Sequence, residues 1–174
     1  MSRRVVVTGM GLAAGAARDR ESFAKACFDG AGSIRSCTAF DPSGLSTAQF
    51  GEVEGLAAAD EPNGRYFELL RQSAESFLKD TGLTKEEIAS WGTRCRMFFG
   101  TLIFSSDAFY RHSLRKKAGA EGSDSFIAHM NDFSAYAKSL LGVEGSLSIV
   151  SSSCAAGTTA AGMALDYIRN GLSE

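Results

Sequence analysis

The chain has few of the residues that usually declare a class. Its 174 residues include two histidines, His112 and His129, and four cysteines, Cys27, Cys37, Cys95 and Cys154. No cysteine pair has the spacing of a metal or redox motif, and no pattern of histidines accompanies them. A resident metal is therefore not expected, and the lack of a disulfide framework fits a reducing cytoplasm. There is no basic surplus: 18 Lys and Arg stand against 20 Asp and Glu, for a formal charge of −2. That argues against a nucleic-acid-binding domain. No apolar run approaches membrane-spanning length. The stretch VVVTGMGLAAGAA after Arg3 and Arg4 has the outline of a secretory signal, but Gly9, Gly11 and Gly15 break a core that should be continuous and leucine-rich. Internal repeats, low-complexity tracts and interdomain linkers are also missing.

What is present is ordinary for a globular chain: 44% hydrophobic and 22% charged residues, with length enough for one domain and a substantial core. Arg4–Thr8 reads as a buried strand. Asp19 is placed to cap a helix running to Asp29, with Gly30 as its stop. Thr38–Phe40 and Gln49–Val53 read as short strands around the turn Asp41-Pro42-Ser43-Gly44. Ala57–Gly64 is a polar loop. Arg65–Asp80 is the clearest amphipathic helix, with Phe67, Leu70, Ala74, Phe77 and Leu78 on one face. Thr84 to Glu87 forms a capping box for a short helix. Arg94–Gly100 reads as a strand, Ser106–Lys117 as a helix, Gly119–Asp124 as a loop and Asn131–Leu141 as a helix. A strand over Ser146–Ser151 and a helix over Ala155–Asn170 complete the pattern. Alternating strands and helices define an α/β class with a largely parallel sheet. Cys27 and Cys95, in apolar contexts, are expected to be buried.

The last strand and helix bracket the most informative residues, IVSSSCAAG. A short apolar strand runs through small residues into Cys154, and a helix follows at once. Such a turn tolerates only small neighbours and is similar to the nucleophile elbow of hydrolases. A thiol there faces unpaired N–H groups and the positive end of the helix dipole, which favour a thiolate. The same residues also fit a buried cysteine beside a tightly packed helix, since Gly157, Ala160, Ala161 and Ala164 allow close packing. A cysteine hydrolase would need a base nearby. His112 sits in the run Arg111–Lys117, which reads as a solvated helix face. Gly9-x-Gly11-x-x-Ala14 follows a strand and has the form of a dinucleotide fingerprint, so an NAD(P)-dependent oxidoreductase is an alternative. It lacks the second buried strand ending in an acid, and its glycines read better as shaping a tight turn.

The segment SSSCAAGTTAAGMALDYIRNG resembles the active-site stretch of the β-ketoacyl synthases, the condensing enzymes of fatty-acid and polyketide synthesis. RRVVVTGMG resembles the family's opening strand. TAFDPSGLSTAQFGEVEGL, ESFLKDTGL and RCRMFFGT fit between them in the family's order. The resemblance implies a thiolase-like fold, two similar halves in helix–sheet–helix–sheet–helix layers, of which residues 1–174 supply most of the first. It implies that Cys154 takes an acyl group from a thioester. A malonyl thioester then loses carbon dioxide and condenses with that acyl group. No metal or redox cofactor is implied. The partners it implies are acyl carrier protein, acyl and malonyl thioesters, and either a second copy in a dimer or a complementary C-terminal half.

The family's two catalytic histidines and a nearby lysine come from motifs downstream of the cysteine, and neither His112 nor His129 matches them. The usual basic approach to the helix at Arg65 reads Ala59-Asp60-Glu61-Pro62-Asn63-Gly64-Arg65 here, with a single basic residue. Leu102–Phe109 suits either an acyl tunnel or a dimer interface. A non-catalytic module packing against a synthase remains a second reading.

Overall fold

Strand β1, Ile34–Ser36, and strand β2, Gln49–Gly51, pair antiparallel with Ile34 opposite Gly51. They belong to one of two compact units, residues 8–82; the other comprises residues 1–7 and 83–174. The computed structural model describes residues 3–38, 40–56, 64–102, 113, 116–119 and 126–173.

The ladder of residues 8–82 continues one step past β1, where the Cys37 N–H donates to the Ala48 carbonyl at 2.8 Å. It stops there. The buried Glu52 carboxylate takes the Thr38 N–H at 2.9 Å and the Thr38 hydroxyl at 2.7 Å. That N–H follows one that faces β2 and so points away from the ladder, and the strand forms at 34–36 rather than at the expected 38–40. Helix α1, Arg20–Phe28, opens on Asp19, which accepts from the Ser22 N–H in a complete capping box. No residue of α1 is buried, so Cys27 is exposed rather than buried as expected.

Helix α2, Gly64–Thr81, buries Ala74 and Ser76 and ends at Gly82, whose φ of +70° only glycine adopts freely. Residues 9–12 run along it. A Cβ on Gly9 would strike the Thr81 side chain, and one on Gly11 would strike the Ser73 carbonyl. The Met10 N–H donates to Asp80 at 3.0 Å, and the Leu12 N–H to Ser76 at 3.4 Å. These glycines therefore admit a close approach to a helix. They do not make a tight turn, since neither has a positive φ.

In the other unit, β3, Met97–Gly100, pairs in parallel with β4, Leu147–Val150. Side chains alternate across a strand. Phe98 meets Tyr167 of helix α5, Ala156–Arg169, at 4.9 Å between ring centroids. Phe99 meets the fully buried Phe133 of helix α4, Phe126–Leu141, at 5.0 Å. The layers are helix, parallel sheet, helix, as the α/β class requires. Strand β3 begins three residues later than expected because Gly92–Arg94 closes a 3₁₀ turn, with the Cys95 N–H donating to the Gly92 carbonyl. Helix α3, Lys85–Ser90, has the expected capping box between Thr84 and Glu87 and buries Ile88.

The buried strand expected over Arg4–Thr8 is not formed: Val6 is 57% and Val7 83% exposed. A strand exists through its ladder, and none of the described residues pairs with this one. Helix α5 is covered on one side. Ala156 and Ala160 are buried, but Gly157, Thr158 and Ala161 are exposed. The covered face is the one turned to the sheet.

The expected helix Ser106–Lys117 and the loops Ala57–Gly64 and Gly119–Asp124 lie largely outside the described residues. So do His112, most of Leu102–Phe109 and the side chain of His129. Among the described residues, no helix is long and apolar enough to cross a membrane.

Candidate active site

Strand β4 delivers the chain to Val150, whose carbonyl still accepts from the Thr101 N–H at 2.9 Å. The backbone then reverses within four residues. The Ala155 N–H donates to the Ser152 carbonyl at 3.2 Å, and the Ala156 N–H to that of Ser153. Cys154 lies inside this turn, exposed, two residues before α5 begins. The expected strand–turn–helix placement of Cys154 is present. The alternative of a buried cysteine is not, because the side chain faces outward.

Side chains pin the turn on both flanks. The Ser151 hydroxyl donates to the Leu102 carbonyl at 3.1 Å, tying the turn to the segment after β3. The Ser152 hydroxyl donates to the Thr159 hydroxyl at 3.2 Å, which donates in turn to the Ala155 carbonyl at 2.9 Å. Helices α1 and α3 close their first turns with capping boxes, whereas α5 has no side-chain cap. Its leading N–H groups are those nearest Cys154.

Gly100 sets the height of the turn. A Cβ there would lie 2.5 Å from the Ala156 carbonyl oxygen and 2.8 Å from the Gly157 nitrogen. The first turn of α5 thus rests directly on the end of β3. The signal for Gly100 in the sequence is slight: a glycine closing a strand can mark a close backbone approach. Gly157, expected to serve close packing, has open space around its Cα instead.

The other thiols differ in setting. Cys95 is half-buried rather than buried as expected, and that burial raises its thiol above the ordinary range. Cys37 donates to Glu52 and the Phe40 carbonyl at 3.4 Å each. Among the described residues, no group of three or more His, Cys, Asp or Glu is placed to hold a metal ion. The dinucleotide alternative loses its footing: no helix starts at Gly9–Ala14, and the N–H groups of Met10 and Leu12 are taken by α2.

Helices flank a parallel pair of strands, and an exposed cysteine stands where one of those strands turns into a helix. The family model "Beta-ketoacyl synthase, N-terminal domain" matches residues 2–174, and the chain belongs to that family. Three solved structures share the fold. The ishigamide ketosynthase/chain length factor is 24% identical with a TM-score of 0.74, the chain covering 100% of itself and 46% of that protein. A β-ketoacyl synthase from Burkholderia phymatum STM815 is 21% identical with a TM-score of 0.75, at 99% and 45% coverage. A type II PKS acyl-carrier protein in complex with its ketosynthase, bound to the hexaketide, gives 24%, 0.72, and 100% and 44%. The chain thus spans less than half the length of these relatives. No curated protein sequence matches it significantly.

Proposed function

We propose that the chain is the nucleophile-bearing, N-terminal half of a β-ketoacyl synthase and that Cys154 is its acyl-accepting residue. The observation that carries this is the exposed Cys154 thiol, held in the turn that leads into the uncapped start of α5 in a chain of this family. The Cys154 sulfur attacks the carbonyl carbon of an acyl thioester. The carbon–sulfur bond to the carrier breaks, and the carrier thiol leaves with the proton. The tetrahedral intermediate carries an oxyanion, for which the Cys154 N–H is one donor. A malonyl thioester then loses its carboxylate as carbon dioxide. The resulting carbanion attacks the acyl carbon, the carbon–sulfur bond to Cys154 breaks, and the Cys154 thiolate that leaves takes up a proton from water. Groups that promote the decarboxylation lie outside these 174 residues in this reading, so the chain alone loads acyl groups but does not condense them. The acyl donor is a thioester of an acyl carrier protein, a partner type present in one structural neighbour.

The test is acyl loading from a radiolabelled acyl–carrier thioester. Covalent label mapping to Cys154, abolished in Cys154→Ala, is expected. Label on Cys27, Cys37 or Cys95 instead would remove the assignment. No label on any cysteine would favour the non-catalytic interaction module.

A further inference from the structure

One residue beside the cysteine is held in a backbone conformation its side chain does not favour. Ser153 has φ +53°, and it is the sole non-glycine residue with positive φ among the described residues. The turn it enters, Ser152 to Ala155, is closed by the Ala155 N–H to Ser152 carbonyl bond. A positive φ at the first central position, Ser153, and not at the second, Cys154, is the pattern of a type II′ turn. Glycine normally fills that first position, because a Cβ crowds the backbone there.

The serine side chain does not account for the conformation. It is exposed, and its hydroxyl has no hydrogen-bond partner among the described residues. The hydroxyls on either side are the ones engaged, Ser151 with Leu102 and Ser152 with Thr159. Those ties, together with the seat at Gly100, hold the turn from three directions. Strain of this kind persists only where the surroundings over-determine it. Without the positive φ, the chain leaving β4 would continue outward instead of doubling back into α5. Cys154 would then lose its place beside the first N–H groups of the helix.

We infer that Ser153 is a positioning residue: its left-handed backbone, not its hydroxyl, aims the Cys154 thiol at the start of α5. The inference rests on the nucleophile reading of Cys154. Two substitutions separate backbone from side chain. Ser153→Gly removes the hydroxyl but favours positive φ. Ser153→Thr keeps the hydroxyl but adds a β-branch that disfavours it.

The experiment is limiting iodoacetamide on the folded full chain at neutral pH, with Cys154 alkylation mapped against the exposed Cys27 as internal reference. Thermal melts confirm that each variant is folded. Ser153→Gly should keep the wild-type Cys154-to-Cys27 ratio within about twofold, and Ser153→Thr should lower it about tenfold. Equal ratios in both variants and wild type would overturn the inference, as would loss in the glycine variant with retention in the threonine variant. If Ser153→Thr does not fold, Ser153→Ala replaces it. A glycine variant faster than the alanine variant would then support the inference, and one no faster would overturn it. A wild-type Cys154 no faster than Cys27 would instead remove the nucleophile reading itself.

Discussion

Gly100 has no side chain to offer chemistry, yet the position of Cys154 depends on it. The Ala156 carbonyl and Gly157 nitrogen occupy the space a Cβ would need. Both are backbone atoms, so they cannot rotate aside as a flexible side chain would. Gly100→Ala must lift the first turn of α5 from the sheet or bend the end of β3. The expected cost is about 1–3 kcal/mol of stability, as for other overpacked sites. Denaturant unfolding would measure it, and Cys154 alkylation relative to Cys27 should fall in the same variant. An unchanged midpoint with unchanged alkylation would show that the turn is not seated on Gly100. Such a contact is invisible in a one-dimensional reading, because the residues involved lie 56 positions apart in sequence. Cys154 was legible because strand, small residues and helix are contiguous.

Local signals also decided most element ends. Both sequence-visible N-caps are formed, Asp19 with Ser22 and Thr84 with Glu87. Replacing Thr84 by Ala deletes the acceptor for the Glu87 N–H, which lies at 3.2 Å. A loss of about 1 kcal/mol is expected, read as a lower thermal midpoint. Helix α2 carries a pH-dependent element. Arg71 donates to Glu68 and to Glu75. Hydrogen bonds from Arg71 and then Gln72 hold the Glu68 carboxyl down to about 2, from an ordinary 4.5. Because the folded value is depressed, the contribution of Glu68 is fully present above about pH 4.5. It is lost as the pH falls toward 2. Protection factors of α2 amides should therefore fall across that window, and Glu68→Gln should flatten this part of the profile. An identical profile in the variant would refute the assignment. The pair is half-exposed, so the effect should be modest and salt-sensitive.

Large apolar side chains stand in water over the chain as a whole. Val7 is 83%, Phe28 91%, Ile34 72% and Leu172 54% exposed. Exposed apolar groups of this size favour association. The 174-residue chain at micromolar concentration should scatter light as a species larger than a monomer. Phe28→Ser should reduce that scattering with little change in thermal midpoint, since Phe28 packs on almost nothing. A monodisperse monomer would show that these side chains do not drive association.

Composition and local pattern by themselves determined the α/β class, the helices and their caps, and the strand-to-helix placement of Cys154. Each rests on residues within a few positions of one another, where propensity, capping and periodicity act directly. Only the tertiary structure decided whether an apolar run becomes a strand. Val5 to Val7 has the composition of one and finds no ladder partner among the described residues, while Met97–Gly100 finds Leu147–Val150. It also decided that the ladder pairs Ile34–Ser36 rather than Thr38, and that α5 buries one face. The tight backbone contacts at Gly9, Gly11 and Gly100, and the positive φ of Ser153, came from the same source. In each case the deciding group comes from a distant segment or from the closing of the turn. Its effect is steric or a hydrogen bond made only after the chain has folded, and no neighbouring residue in the sequence signals it.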